Sequence, residues 1–275
     1  MATGAKAVAS TVAVIRDRIA GAGVIGCDET TIAAGPAGQK CYILSASTER
    51  FAAFWLGGRD LGSFTDFGIL SACADGTVVV HDRYRNYDCV VFVTISGHQL
   101  CAAHLLRDLE DVRESYPGEV WPAQAQRALR GLIHAWHRAR DAGLTAIPFT
   151  TVVALVTEFR DAVKVGLAKV PRAAMGRQPP ARNLLECLRD REPDVLRFVG
   201  DLRVWPTNNI SERDLRPWRT QENISGRLTS EYATRDRLAV YSYLVSVRKH
   251  GESELKAMVD AFRGRPWTPP AAVPT

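Results

Sequence analysis

The chain has 275 residues, of which 46% are hydrophobic, so it can bury a large core, and this excludes an intrinsically disordered protein. Its net charge of +5 permits an anionic partner, and residues 203–250 hold nine Lys and Arg against five Asp and Glu. The six cysteines lack the spacing of a zinc site, and no apolar run is long enough to cross a bilayer. We therefore expect a cytoplasmic protein with reduced thiols and no membrane partner.

The N-terminal part of the chain predicts a mixed sheet. An Ala-rich helix at about residues 5–20 comes first, within a lead-in segment 1–23. The predicted strands are residues 24–28, 40–44, 51–56, 77–82 and 98–104. Short turns join the first three strands, which indicates an antiparallel meander, and helices are predicted at 61–70 and from residue 83.

The hydrophobic period changes to that of helices after the fifth predicted strand. Residues 105–204 therefore indicate an α-helical insertion, and a helix that begins at Asn208 or Asn209 follows it. Ser230 is predicted to cap a long helix that ends near Lys249, and a last helix is predicted at 252–262. The predicted parts are a lead-in helix (1–23), a core in two pieces (24–104 and 205–264), the insertion (105–204) and a loose tail (265–275).

Three acids occupy the ends of predicted elements. Asp28 and Asp82 each end an apolar strand, and Glu212 lies in the first turn of the helix after the insertion. Cutting a phosphodiester needs an activated nucleophile and a stabilised leaving oxygen, and two Mg²⁺ ions held by carboxylates supply both. Each acid alone has a simpler explanation, because Asp at a strand end is commonly a turn former and Glu212 completes a capping box if Asn209 is the N-cap. Together they predict a carboxylate site for divalent metal.

Several short motifs occur in order along most of the chain. The matching stretches are Asp28-Glu-Thr30, Ala46-Ser-Thr-Glu-Arg50, Val80-His-Asp82 followed by Tyr87, Leu100-Cys-Ala-Ala-His-Leu-Leu-Arg-Asp-Leu109, Asn208-Asn-Ile-Ser-Glu-Arg-Asp-Leu-Arg216, Ile224-Ser-Gly226, Ser242-Tyr-Leu244 and Arg248-Lys-His-Gly251. On these motifs the chain resembles the insertion sequence sixty-six family of the DDE class, which has an RNase H-like catalytic domain. Ala102 stands where an Asn commonly precedes the Ala-His of this family, and we expect that the usual N-terminal DNA-binding region is lacking.

The resemblance implies an α/β fold, with an RNase H-like mixed five-stranded sheet flanked by helices and an α-helical insertion before the last catalytic helix. It implies that Asp28, Asp82 and Glu212 are catalytic and hold two Mg²⁺ ions, or Mn²⁺ in their place. The implied reaction is hydrolysis at the 3′ ends of the element, followed by attack of the freed 3′-OH on target DNA. The implied partners are double-stranded DNA, further copies of the chain on that DNA and accessory proteins of the same element, in a nucleoid-associated, cytoplasmic location.

Further polar residues are candidates for DNA contacts or auxiliary roles. His104 either approaches the scissile phosphate or packs as an ordinary histidine, and Arg107 either faces the same cleft or is solvated. Arginines on the glutamate helix suit phosphate contacts or are plain surface charge, and Lys249 either meets DNA or favours its helix dipole. Glu29 and Asp214 are expected to point away from the site. The candidates are His104, Arg107, Asn208, Asn209, Arg213, Arg216, Arg219 and Lys249.

Two other functions stay open at this point. The first is a nuclease of the same fold that cuts nucleic acid without transferring it. The second is a truncated, non-autonomous remnant that binds DNA or transposase subunits and so regulates transposition. Cleavage without joined product favours the nuclease, and an intact upstream reading frame in the same genomic element argues against the remnant.

Overall fold

The computed structural model describes residues 2–36 and 38–270, and these divide into two compact units. The first unit consists of the described residues up to Gly97 and from Asn208 onward, and the second runs from His98 to Thr207. Part of the predicted tail, residues 271–275, lies outside the described residues.

A five-stranded sheet with the order β3-β2-β1-β4-β5 is present within the described residues. Its strands are β1 (Val24–Ile32), β2 (Cys41–Ser47), β3 (Ala52–Gly57), β4 (Thr77–His81) and β5 (Ile95–Leu100). The first three strands pair antiparallel, as the short turns predicted, whereas β1 and β4 run parallel. The predicted α/β class with an RNase H-like mixed sheet is therefore confirmed.

Helices account for most of the remaining described chain. They are α1 (Ala2–Ala20), α2 (Leu61–Phe67), α3 (Ala102–Ser115), α4 (Trp121–Asp141), α5 (Phe149–Lys169), α6 (Pro180–Asp190), α7 (Glu192–Val195), α8 (Arg197–Gly200), α9 (Asn209–Ser225), α10 (Glu231–Lys249) and α11 (Glu254–Phe262). The predicted cap of α10 is confirmed, because Ser230 Oγ accepts the backbone N–H of Ala233 at 3.2 Å. In the part of the chain that the structure describes, no helix has the length and apolar character that a bilayer crossing requires.

Two predicted elements near the fourth and fifth strands are corrected. The fifth strand ends at Leu100, and Ala102 already begins α3, so His104 lies in the first turn of a helix. The reason is that Leu105, Leu109 and Val112 repeat at helical spacing and are buried along one face of α3. The helix predicted from residue 83 is only a short 3₁₀ turn, Arg85–Asp88.

Both faces of the sheet carry apolar cores, and β1 contributes alternate residues to each. Ile25 and Cys27 pack into the core that also contains Ile15 and Ile19 of α1. Ile32 belongs to the opposite core, which also contains Leu215 and Trp218 of α9 and Leu238 and Val245 of α10. Because side chains alternate along a strand, Asp28 shares the α9 face with Ile32, whereas Glu29 shares the α1 face with Cys27.

The second unit is α-helical between β5 and α9 in the chain, as predicted for the insertion. Trp121, Trp136 and Phe159 are among its buried side chains. Gly166 allows α5 to approach α6 closely, because a Cβ at this position would lie 2.5 Å from Leu185 Cδ2.

Candidate active site

Asp28 lies within β1, and its side chain is only 9% exposed. The parallel register pairs Gly26 with Val80, so Asp28 and Asp82 stand level two residues further along the two strands. Paired residues of parallel strands point to the same face, but Asp82 follows the end of β4 and is not fixed by the ladder. The register thus places the end of β4 beside the part of β1 that carries Asp28.

Glu212 lies in the first turn of α9, which packs on β1. The capping box considered for Asn209 and Glu212 is wrong, because Asn208 is the N-cap and makes no side-chain capping bond. Its amide Nδ2 instead donates to the carbonyl of Cys27 at 2.7 Å, and Asn208 is 1% exposed. This bond ties the start of α9 to β1 one residue before Asp28.

Burial raises the pKa of Asp28 to about 7. The guanidinium of Arg219 opposes this rise, and its Nη2 lies 3.3 Å from Asp28 Oδ2. The negative charges of Glu29 and Glu212 raise the pKa of Asp28 further, so Glu212 is an electrostatic neighbour of this carboxyl group. Glu212 and Arg219 are seven residues apart on α9, which puts them within about 20° of each other around the helix axis. Both side chains therefore belong to the helix face that looks toward Asp28.

Asp82 has a more open environment, with 31% of its side chain exposed. Its Oδ1 accepts the backbone N–H of Tyr84 at 2.7 Å, which shapes the turn after β4. Its Oδ2 lies 4.0 Å from Nη2 of Arg59. Sequence reasoning did not find Arg59, because this residue precedes α2 in a turn and belongs to none of the motifs.

Glu29 points to the other face of the sheet, as expected, but it is not an inert neighbour. Its side chain is 2% exposed and accepts the hydroxyl of Tyr87 at 2.5 Å and Nε of Arg59 at 2.8 Å. Burial raises the pKa of Glu29, the hydrogen bond from Tyr87 opposes the rise, and the charge of Asp82 adds to it. Glu29 is therefore electrostatically coupled to Asp82 across the edge of the sheet.

The remaining candidates fall into exposed and internal groups. Asn209, Arg213, Arg216 and Arg219 are exposed on α9. Asn208 and Lys249 are engaged inside the protein, Asn208 with Cys27 and Lys249 with Asp214 at 2.6 Å. Both side chains thus bond to partners within the protein, whereas DNA contacts were expected. His104 and Arg107 lie on α3 in the second unit, where His104 is half-buried and Arg107 exposed.

The three acids provide the hard oxygen donors that Mg²⁺ takes. In the described part of the chain, their oxygens are not all within 4.8 Å of one another. In a site with two Mg²⁺ ions, the ions lie about 3.5–4 Å apart and each is roughly 2.1 Å from its ligands. Carboxylate oxygens that bind different ions can therefore be up to about 8 Å apart. The buried Asp28 has a raised pKa beside other acids, and a divalent cation would favour its charged form. By its chemistry, three carboxylates with oxygen donors, this set suits divalent cations such as Mg²⁺.

A comparison with protein-family models matches residues 1–236 to the family described as Transposase IS66 family. A search of curated proteins gave no match. The matched range covers well over half of the chain and contains Asp28, Asp82 and Glu212. It thereby confirms the resemblance seen in the motifs, and the chain belongs to the IS66 family of transposases.

Proposed function

We propose that the chain carries the catalytic domain of a DDE transposase, which cleaves transposon DNA ends and joins the 3′-OH to target DNA by two-metal-ion phosphoryl transfer. One observation carries the proposal in a chain of this family: Asn208 at the start of α9 donates to the carbonyl of Cys27, which sets the helix of Glu212 against β1 beside buried Asp28. The first unit serves as the catalytic core in this proposal, and the helical second unit as the inserted domain.

The three acids and Arg219 have different roles in this proposal. Asp28, Asp82 and Glu212 hold the Mg²⁺ ions, which when bound activate the attacking oxygen and stabilise the leaving oxygen. Asp28 is the most buried of the three acids. Arg219 donates to Asp28 Oδ2 and Thr30 Oγ1, both at 3.3 Å, and so holds the carboxylate toward α9.

The exposed face of α9 supplies the proposed DNA contacts. Arg216 lies four residues after Glu212 and Arg219 seven, so both share the helix face of the catalytic glutamate. Arg213 lies about 100° around the axis from Glu212, on the flank of that face. Guanidinium groups beside the carboxylates suit phosphates on either side of the scissile bond. Asn209 at the exposed helix start adds a further polar contact to the backbone.

His104 and Arg107 complete the proposed set as auxiliary residues of the second unit. They are three residues apart near the start of α3, so they lie on neighbouring parts of its surface. The double-stranded DNA, the assembly of several copies on it and the accessory proteins of the element are part of the same proposal, as is the nucleoid as the place of action.

A strand-transfer reaction tests the proposal. The full chain is incubated with Mg²⁺, a target plasmid and labelled DNA that carries the inverted repeats flanking its coding sequence. We expect labelled ends joined to plasmid, and we expect Asp28→Asn, Asp82→Asn and Glu212→Gln each to abolish both cleavage and joining. Glu252→Gln is the matched control, because Glu252 is an exposed acid outside the site.

The same reaction decides between the alternatives. Cleaved ends without joined product would identify a nuclease that does not transfer strands. DNA that is bound but left intact by the wild-type chain would identify a regulatory remnant. Cleavage that survives in all three acid variants would show that the carboxylates are not the catalytic residues.

A further inference from the structure

Glu29 and Arg59 form an ion pair directly beside Asp82, on the face of the sheet opposite Asp28. Arg59 Nη2 lies 2.7 Å from Glu29 Oε1 and 4.0 Å from Asp82 Oδ2. One guanidinium thus stands between a buried carboxylate and a carboxylate of the proposed metal site. The two acids compete for the same cation.

Arg59 is held in this position by the turn that follows Asp82. Its guanidinium lies 4.0 Å from the centre of the Tyr84 ring, in a cation–π contact. Its backbone carbonyl accepts Asn86 Nδ2 at 3.1 Å and also accepts the hydroxyl of Tyr84. The hydroxyl of Tyr87 donates to the second oxygen of Glu29 at 2.5 Å. Arg59 therefore cannot move far from Asp82 when its ion pair changes.

The environments of the two acids decide where the guanidinium bonds. The Glu29 side chain is 2% exposed, whereas 31% of the Asp82 side chain is exposed. A charge pair is stronger where water is excluded. Arg59 therefore bonds to the buried Glu29 at 2.7 Å and stays 4.0 Å from the more exposed Asp82. The distance of 4.0 Å between Arg59 Nη2 and Asp82 Oδ2 is consequently longer than a hydrogen bond.

We propose, on the basis of the function proposed above, that Glu29 is a positioning residue that retains Arg59 and thereby keeps Asp82 available to a divalent cation. Without the charge of Glu29, Asp82 is the other carboxylate within 4.0 Å of Arg59 among the described residues. The guanidinium then shifts toward Asp82, neutralises it and competes with the metal.

Binding of Mn²⁺ to the full chain, followed through the electron paramagnetic resonance signal of the unbound ion, tests the inference without DNA or turnover. Glu29→Gln keeps the size of the side chain and removes its charge. We expect it to raise the half-saturating Mn²⁺ concentration roughly threefold, in line with a partly exposed charge pair. Arg59→Met removes the competing cation and should leave this concentration unchanged or lower it. The double variant should return to the wild-type value or below.

Controls separate this inference from the proposed function. Glu252→Gln removes an exposed negative charge and should leave the titration unchanged. If Asp82→Asn abolishes binding but Glu29→Gln titrates like the wild type, the role of Glu29 is refuted and the metal site stands. If Arg59→Met weakens Mn²⁺ binding, Arg59 does not compete with the cation for Asp82, and the inference is refuted. This test does not depend on whether Glu29→Gln folds. If Asp82→Asn binds Mn²⁺ like the wild type, both the metal site and the role of Glu29 are refuted.

Discussion

Lys249 Nζ lies 2.6 Å from Asp214 Oδ2, and this buried ion pair joins the end of α10 to the helix that carries Glu212. The ammonium also donates to the carbonyls of Thr48 at 2.8 Å and Phe51 at 3.3 Å, so its three donors have three acceptors. Ser47 Oγ donates to the same Asp214 oxygen at 2.8 Å. Burial lowers the pKa of Lys249, and the charge of Asp214 opposes this. The lysine thus fixes α9 against the turn between β2 and β3.

Removal of this ammonium is expected to destabilise the fold strongly. Lys249→Met leaves Asp214 as a buried charge without its cation, and breaking such pairs costs about 3–5 kcal/mol. Urea unfolding measures the change in the free energy of unfolding. Lys256→Met, which removes an exposed lysine, is the control and should change it by less than about 0.5 kcal/mol. Equal values for the two variants would show that the pair does not support the fold.

Arg216 and Lys249 are expected to differ in DNA binding, because Arg216 is exposed and Lys249 is internal. Arg216→Ala should weaken binding to duplex DNA for every sequence and reduce the slope of log affinity against log salt by about 1. Lys249→Met, measured under conditions where it is folded, removes an internal charge and should leave the slope unchanged. Fluorescence anisotropy over a range of salt concentrations provides both values. A reduced slope for the Lys249 variant alone would reverse the assignment of the two residues.

Because the pKa of Asp28 is raised in the fold, the free energy of unfolding is expected to fall as the pH rises. This pKa is about 7 in the fold and 3.8 by its ordinary value, so the folded state binds the extra proton between these limits. The stability that neutral Asp28 provides is complete below about pH 4 and is lost as the pH rises through 7. The loss is of the order of 4 kcal/mol.

Asp28→Asn stays neutral at all these pH values. In the presence of a chelator, its stability advantage over the wild type should grow between pH 5 and pH 8, as urea unfolding at each pH would show. Asp66→Asn, which removes the charge of an exposed aspartate, should show no such trend. Parallel pH profiles for Asp28→Asn and the wild type would contradict the burial of a strongly shifted carboxyl group.

Gly166 is expected to be intolerant of a side chain. A Cβ at this position meets Leu185 Cδ2 at 2.5 Å and Trp121 Cδ2 at 2.8 Å, both in the core of the second unit. Gly166→Ala should therefore destabilise by about 1–3 kcal/mol despite the higher helix propensity of Ala. Gly200→Ala is the control, because nothing lies within 4 Å of a Cβ there. Hydrogen exchange of α5 amides would locate the effect, and unchanged protection in Gly166→Ala would contradict it.

Local pattern and motif order were enough to predict the mixed sheet and the helical insertion, whereas the roles of Asp28, Asp82 and Glu212 stay a prediction. The register that sets Asp28 level with Asp82 is a property of paired strands and cannot be seen in either strand alone. The predicted capping box of Asn209 and Glu212 was wrong for a similar reason. The helix begins one residue earlier, and the Asn208 side chain bonds to the carbonyl of Cys27, which is distant in sequence. Arg59 is likewise defined by its tertiary partners, since an isolated arginine in a turn resembles any solvated charge.

The burial of Asp28 also links ion uptake to folding. Above neutral pH the folded chain carries a charge on Asp28 that burial disfavours, so a cation that binds only the folded form stabilises it by mass action. The melting temperature of this transposase should therefore rise with divalent ion concentration most steeply in alkaline buffer. In chelating buffer at such a pH, the protein is therefore least resistant to unfolding.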